Sequence, residues 1–264
     1  MNILITGGGS EEPIDNVRYI SNFSTGTTAC FFAEYFCRNG HDVTLITAIK
    51  SRKPEDDFQN LCPGSLNVIT YRTFNDLKNA LEKECRSKKY DAVIHAAAVS
   101  DYSVSSIIVD GKEYEAGSIP KVSGGLELTV KMKKNPKLVD FIKQWETEGA
   151  ESSETAPASK TAAASEGKKA DLKSCLSKSE KAFRLVAFKL TSEATVEERK
   201  KAVQKVFAST GSDILSPDFV VSNDLSEITK EKHPCTIYRK DMSEAKKVEN
   251  LEELSEALEE LIKK

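Results

Sequence analysis

Short apolar runs alternate along the chain with stretches whose apolar residues recur at helical spacing. The first run, Asn2 to Ile5, predicts a short buried strand. Gly7, Gly8 and Gly9 follow it, and a polar loop then passes Glu12, Asp15, Arg18 and Asn22 to Ser24-Thr25-Gly26-Thr27. A helix is predicted from Ala29 to Arg38, ended by Asn39-Gly40 with Gly in the left-handed cap position. His41 to Thr47 is the second strand, 50–65 a polar loop, and Asn67 to Tyr71 the third strand. Phe74 to Arg86 carries apolar residues at 74, 77, 80, 81 and 85, a helical spacing. Asp91 to Val99 is apolar on both faces, as central parallel strands are. Strand, helix and strand in succession imply a βαβ unit. The fold class expected is therefore α/β, a Rossmann-like doubly wound, mainly parallel sheet with helices on both faces.

The second half continues less regularly. Residues 103–126 alternate poorly and contain Gly111, Gly117, Pro120, Gly124 and Gly125, which predicts a mobile arm or lid. A strand at Leu128 to Met132 and a helix at Lys137 to Trp145 follow. Residues 149–182 are rich in Ser, Ala, Lys and Glu and nearly lack large apolar side chains, so they predict a disordered insertion. Further strands are predicted at Arg184–Leu190, Asp218–Val221 and Thr236–Arg239. A helix over Glu193–Ala208 has early glutamates and late lysines, as its dipole prefers. Leu251, Leu254, Leu258, Leu261 and Ile262 mark a terminal amphipathic helix. The organisation expected is one domain over 1–264, bearing the arm and the insertion.

Composition narrows the function class. The chain has 264 residues, 39% hydrophobic and 30% charged, with a formal net charge of -3. No basic excess points to nucleic acid, and no apolar run approaches the roughly 20 residues of a membrane span. The first strand begins at the N-terminus, so no signal peptide is expected. Cys30, Cys37, Cys62, Cys85, Cys175 and Cys235 form no C-x-x-C pair, which argues against structural zinc and for a reducing, cytoplasmic location.

Two segments carry candidate chemistry. Glycines after a first strand, followed by a Ser/Thr/Gly-rich helix start, offer backbone N–H groups to a phosphate. They serve equally as a tight structural turn. Standard phosphate templates do not apply: a G-x-G-x-x-G from Gly7 meets Glu12 at its last position, and there is no Walker A loop. The second segment is Ala97-Ala98-Val99-Ser100-Asp101-Tyr102, at the end of the fourth strand. Both lie where ligands bind in doubly wound sheets, beyond the strands' C-terminal ends. Asp101 there is either a ligand contact or a cap.

These segments resemble phosphopantothenoylcysteine synthetases, the CoaB-type ligases of coenzyme A biosynthesis. Gly8, Gly9, Glu12, Ile14, Asp15, Val17, Arg18, Ile20, Ser21, Asn22, Ser24, Thr25 and Gly26 match the family's first motif, and AAAVSDY matches the second. Ile119-Pro120-Lys121-Val122, the strand around Phe188 and Ser222-Asn223-Asp224-Leu225-Ser226 match three more in family order, and Lys201 and Lys205 on the 193–208 helix share the family's lysine spacing. Thr27 stands where the family carries a basic residue.

The resemblance implies ligation of 4'-phosphopantothenate to L-cysteine through an acyl nucleotidylate formed from ATP or CTP with Mg²⁺. It implies a homodimer, and it assigns no metal ligands. It places Asn22 and Lys121 in catalysis: the amide at the activated carbonyl, the lysine over the triphosphate. It places Gly8, Gly9, Ser24, Thr25, Gly26, Ala97, Asp101, Phe188, Lys189, Lys201 and Lys205 at the nucleotide. It places Arg18, Asn22, Ala98 and Asn223 at the substrate. The flavin-dependent decarboxylase fused to this ligase in many bacteria is expected to be absent.

Two rivals remain. A nicotinamide-dependent reductase of this fold needs T-G-x-x-x-G-x-G and a Tyr-x-x-x-Lys pair; Glu11 and Pro13 occupy the two later glycine positions, and none of the seven tyrosines has a lysine four residues on. A non-catalytic nucleotide-binding regulator would keep the pocket without the chemistry.

Overall fold

An eight-stranded sheet organises the chain. The computed structural model describes residues 1–118, 121, 122, 124, 127–154, 183–229 and 231–264. The sheet consists of β1 (Asn2–Gly7), β4 (Asp42–Ala48), β5 (Leu66–Tyr71), β6 (Ala92–His95), β10 (Arg184–Thr191), β11 (Phe219–Asp224), β12 (Cys235–Arg239) and β13 (Glu244–Val248). Their order across the sheet is β13-β12-β11-β10-β6-β1-β4-β5. All neighbours from β5 to β11 pair in parallel, whereas β12 and β13 close the far edge antiparallel. The chain winds outward from β1 in one direction, then from β6 in the other, as doubly wound Rossmann-like sheets do. The α/β expectation is borne out.

Alternation within each strand sends side chains to two separate cores. Ile3, Ile5, Val43, Leu45, Ile94, Val186 and Val221 meet Phe32 and Phe36 of α1 (Thr27–Arg38) and Leu254 and Leu258 of α5 (Leu251–Lys263). On the opposite face Leu4, Ile46, Val93 and Leu185 meet Leu77 and Leu81 of α2 (Phe74–Ser87) and Ile142 and Trp145 of α3 (Ile142–Glu154). Ala187 and Val220 on that face meet Val203 of α4 (Val196–Ala208). Thr73 with Asp76 and Thr195 with Glu198 form reciprocal capping boxes at the starts of α2 and α4. Gly40 has φ 80°, the conformation expected of the stop after α1.

Two expectations are corrected, for the loop after β1 and for the helix end at Trp145, and the arm proves to carry strands. The polar loop after β1 contains a hairpin, β2 (Glu11–Pro13) with β3 (Tyr19–Ser21). The arm is largely regular: β7 (Tyr102–Val109), β8 (Lys112–Glu115) and β9 (Leu128–Lys134) form a three-stranded antiparallel sheet. Ile107, at zero exposure, packs there with Val104 and Val122, a small core of its own. The helix predicted to end at Trp145 continues to Glu154, so 149–154 are helical backbone rather than part of a disordered insertion. The rest of that insertion lies outside the described residues.

Candidate active site

Strand register lays the foundation. Thr6 of β1 pairs with His95 of β6, and His95 with Ala187 of β10, so the three strands stay in register up to the row where β6 ends. Thr6 Oγ1 lies 2.8 Å from His95 Nδ1 and accepts from the Ala97 N–H at 3.3 Å. Burial pushes the His95 imidazole down to about 4, so it is a neutral ring near neutrality. Beyond this row the chain after β6 stays bonded to the chain after β1. Ala98 N–H donates to the Gly8 carbonyl at 2.8 Å, and Gly9 and Ala98 form a parallel bridge. Asn22 completes the ridge: its Nδ2 donates to the Ala98 carbonyl at 3.2 Å.

A cavity of about 590 Å³ opens on one side of this ridge. Ala97, Val99, Ser100 and Asp101 form one wall, Ala187, Phe188 and Lys189 a second, and Lys201, Ala202 and Lys205 of α4 a third. Pro136, Lys137 and Leu138 close the bottom. Phe188 is half-buried, its ring 5.9 Å from that of Phe32. The four lysines at 137, 189, 201 and 205 set a positive field, offset by Asp101 and Glu198. Asp101 is exposed and ion-paired with Lys137. Glu198 is held low by hydrogen bonds from Thr195, its capping partner.

A second cavity, of about 260 Å³, opens on the other side of the ridge. The hairpin supplies Glu11, Tyr19 and Ser21; Asn22, Phe23 and Ser24 follow from the loop. The ends of β4 and β5 supply Lys50, Ser51 and Arg72. Glu11, only 5% exposed, takes Lys50 Nζ on Oε1 at 2.8 Å and Arg72 Nε on Oε2 at 2.9 Å. Lys50 also lies over the Tyr19 ring, 4.0 Å from its centroid.

The residues expected at the nucleotide are thus divided. Ala97, Asp101, Phe188, Lys189, Lys201 and Lys205 converge on the larger cavity, whereas Gly9 and Ser24 line the smaller one beside Asn22, the residue expected in catalysis and at the substrate. Protein contacts account for the glycines themselves. A Cβ on Gly7 would sit 2.1 Å from that of Ala29, and one on Gly9 would sit 2.6 Å from the Asn22 carbonyl. Gly8 has φ +81° and packs against Ser51 and Ala48; Gly26 has φ +72° and also abuts Ser51. The start of α1 has no side-chain cap, and Thr25 Oγ1 lies 2.9 Å from Thr27 Oγ1.

The remaining expected residues occupy other positions. Arg18 makes a 2.7 Å ion pair with Asp15 and donates to the Val122 carbonyl, so it ties the hairpin to the arm. Lys121, beside Val122, is exposed and borders neither cavity. Asn223 is buried at the end of β11, its Nδ2 3.2 Å from His233 Nε2. Asp224, beside it, is held well below the usual carboxylate range, chiefly by the Ser226 and Thr191 hydroxyls. Sequence reasoning missed Lys50, Arg72 and Lys137. The first two follow directly on the C-terminal ends of parallel strands, a signal that marks ligand sites in this architecture.

Comparison with known proteins covers the chain unevenly. Residues 1–150 match the family described as DNA/pantothenate metabolism flavoprotein C-terminal domain. The coenzyme A biosynthesis bifunctional protein CoaBC of Thermococcus kodakarensis is 34% identical over 142 residues, 54% of this chain and 30% of that protein. The Escherichia coli K12 protein of the same name is 33% identical over 143 residues, 53% of this chain and 30% of its own length. The match therefore spans less than a third of these relatives. Among solved structures, the DNA/pantothenate metabolism flavoprotein from Streptococcus pneumoniae superposes with a TM-score of 0.73 at 23% identity, over 100% of this chain and 98% of that one. A mutant of Cab2 in complex with phosphopantothenate-cysteine superposes at 0.65 with 18% identity, over 99% of this chain and 86% of that one. These structural likenesses extend the shared fold to β10, β11 and α4, beyond the family match. With more than half of its length matched, the chain belongs to the DNA/pantothenate metabolism flavoprotein C-terminal domain family.

Proposed function

We propose that the chain is a phosphopantothenate–cysteine ligase, joining 4'-phosphopantothenate to L-cysteine through an acyl nucleotidylate. The observation that carries this reading is the Asn22–Ala98 ridge, standing between a lysine-walled cavity and a smaller cationic one. The names of the CoaBC relatives support the same step.

The nucleotide, ATP or CTP, takes the larger cavity. Phe188 offers a face to the base, and Lys201 and Lys205, one helical turn apart, receive the phosphates. In the first step a carboxylate oxygen attacks the α-phosphorus and pyrophosphate leaves. Both reactants are anionic, so fixed cations stabilise the charge that builds on phosphorus. In the second step the cysteine amine attacks the acyl carbon, the bond to the nucleotide oxygen breaks, and the amine proton passes to solvent. The Asn22 amide hydrogen-bonds the activated carbonyl without competing as a nucleophile. Arg18, Ala98 and Asn223 would hold the acid substrate.

Among the described residues no group of three or more His, Cys, Asp or Glu could hold a metal. Asp101 and Glu198 are engaged with Lys137 and Thr195. A protein-held Mg²⁺ does not fit these partners; the ion would arrive on the triphosphate, a common arrangement for Mg²⁺.

The expected assembly is a homodimer, supported by exposed Val17 and Phe23 on and beside the hairpin, at 61% and 93% exposure. Free cysteines at 30, 37, 62, 85 and 235 suit a reducing cytoplasm. No helix among the described residues is long and apolar enough to cross a membrane.

Pyrophosphate release tests the proposal. It is expected with phosphopantothenate and nucleotide, with turnover once cysteine is added; parallel assays with ATP and CTP assign the base. Absence of release with either nucleotide would leave the chain a binding protein.

A further inference from the structure

The smaller cavity has the features of a subsite for a second, smaller reactant. Its volume of about 260 Å³ lies below the roughly 300–1,000 Å³ of pockets for drug-sized ligands, so it suits a molecule of few heavy atoms. Its charge is unbalanced: one carboxylate, Glu11, faces two cations, Lys50 and Arg72. Arg72 spends only Nε on Glu11; among the described residues its terminal guanidinium nitrogens carry no hydrogen bond. A net cationic site of this kind selects a small anion, and a guanidinium edge suits a carboxylate. The hydroxyls of Ser21, Ser24 and Ser51 line the same wall. Phe23, Ala48 and Ile49 add apolar surface for a short side chain.

Position gives the site its use. Asn22 lines this cavity while its amide touches the Ala98 carbonyl, and the residues flanking Ala98 line the other one. A molecule here borders the acyl position without crossing the nucleotide cavity, which is filled when the second step begins. We infer that the smaller cavity is the amino-acid subsite: Lys50 and Arg72 take the α-carboxylate of the incoming amino acid and aim its amine at the ridge. This inference rests on the ligase reading above.

The test compares L-cysteine with cysteamine, which has the same amine and thiol but no carboxylate. Both are presented to enzyme that has already formed the acyl nucleotidylate. Lys50→Met removes one cation and leaves Arg72 on the buried Glu11. It is expected to lower kcat/KM for L-cysteine at least tenfold and to leave cysteamine unaffected, collapsing the preference for the carboxylate. Lys50→Arg is expected to restore most of that preference. An equal loss with both amines, or no loss with either, would overturn the assignment. So would slower pyrophosphate release at limiting phosphopantothenate before any amine is added, because the cavity would then hold the acid's phosphate. Failure of the parent protein to release pyrophosphate at all would instead refute the ligase reading.

Discussion

Asp15 and Val122 are 107 positions apart in the chain, yet the Asp15 carboxylate accepts the Val122 backbone N–H at 2.9 Å. The same oxygen takes the Arg18 guanidinium at 2.7 Å, and Arg18 in turn donates to the Val122 carbonyl. This clamp fastens the hairpin to the arm where Lys121 leaves it. The Val122 N–H and the Arg18 guanidinium hold the Asp15 carboxyl far below the usual carboxylate range.

Asp15→Asn keeps the shape but removes the charge that receives Arg18. The expected result is a melting temperature lower by a few degrees and faster proteolytic cleavage of the arm. Because the folded-state pKa is depressed, the clamp's contribution is present above pH about 4 and fades as pH falls below it. The parent should therefore lose arm protection in acid. Equal proteolysis of parent and variant at pH 7 would show that the clamp does not hold the arm.

Asn22→Asp replaces the donor on the Ala98 carbonyl with an acceptor, which repels that oxygen and any acyl oxygen placed there. Acyl nucleotidylate formation is expected to persist in part. Transfer to cysteine should fall by about 10²-fold, the scale of losing one donor to a developing oxyanion. Single-turnover measurement of the two steps separates them; transfer at the parent rate would remove Asn22 from the chemistry.

Lys121→Gln tests whether the lysine beyond the clamp reaches the nucleotide during turnover. A transition-state contact of this type is worth about 10²–10³ in rate. The first chemical step should slow accordingly while nucleotide affinity changes little. Arginine should rescue poorly, since its planar fork does not reproduce a compact ammonium. An unchanged burst of acyl nucleotidylate would mark Lys121 as a solvated surface residue.

Glu259 should control part of the acid stability. Burial alone would raise its pKa, but hydrogen bonds from Lys263, His41 and Tyr35 overcome that and bring it to about 2. A depressed carboxylate stabilises the fold above its unfolded pKa, near 4.3, and that stabilisation drains away as pH falls toward 2. Glu259→Gln should therefore lower the melting temperature at pH 7 and make it less sensitive to pH between about 5 and 2. A parallel shift at every pH would show that the ionised form contributes nothing.

The alternating strands were legible because burial leaves a period in the sequence. Asn2–Ile5, His41–Thr47 and Arg184–Leu190 predict β1, β4 and β10 within two residues at each end. The arm was less legible. Its poor alternation and its glycines predicted only a mobile arm or lid, while β7 and β9 gain their order from pairing with each other and from Ile107, contacts that no local window contains. β13, with its EAKKV sequence, is an edge strand whose polar face hides the pattern.

The sequence by itself determined the parallel α/β class, the positions of the five-motif series and the residues that carry it, because periodicity and motif spacing are local properties. Only the tertiary structure decided that some of those residues line two cavities rather than one, while Arg18, Lys121 and Asn223 line neither. That division depends on the Gly9–Ala98 bridge and on Lys50 and Arg72 meeting at Glu11. These groups lie tens of residues apart in the chain; the parallel pairing of β1 with β4 and β6 and of β4 with β5, together with the Glu11 N–H bond to the Arg72 carbonyl, brings them together.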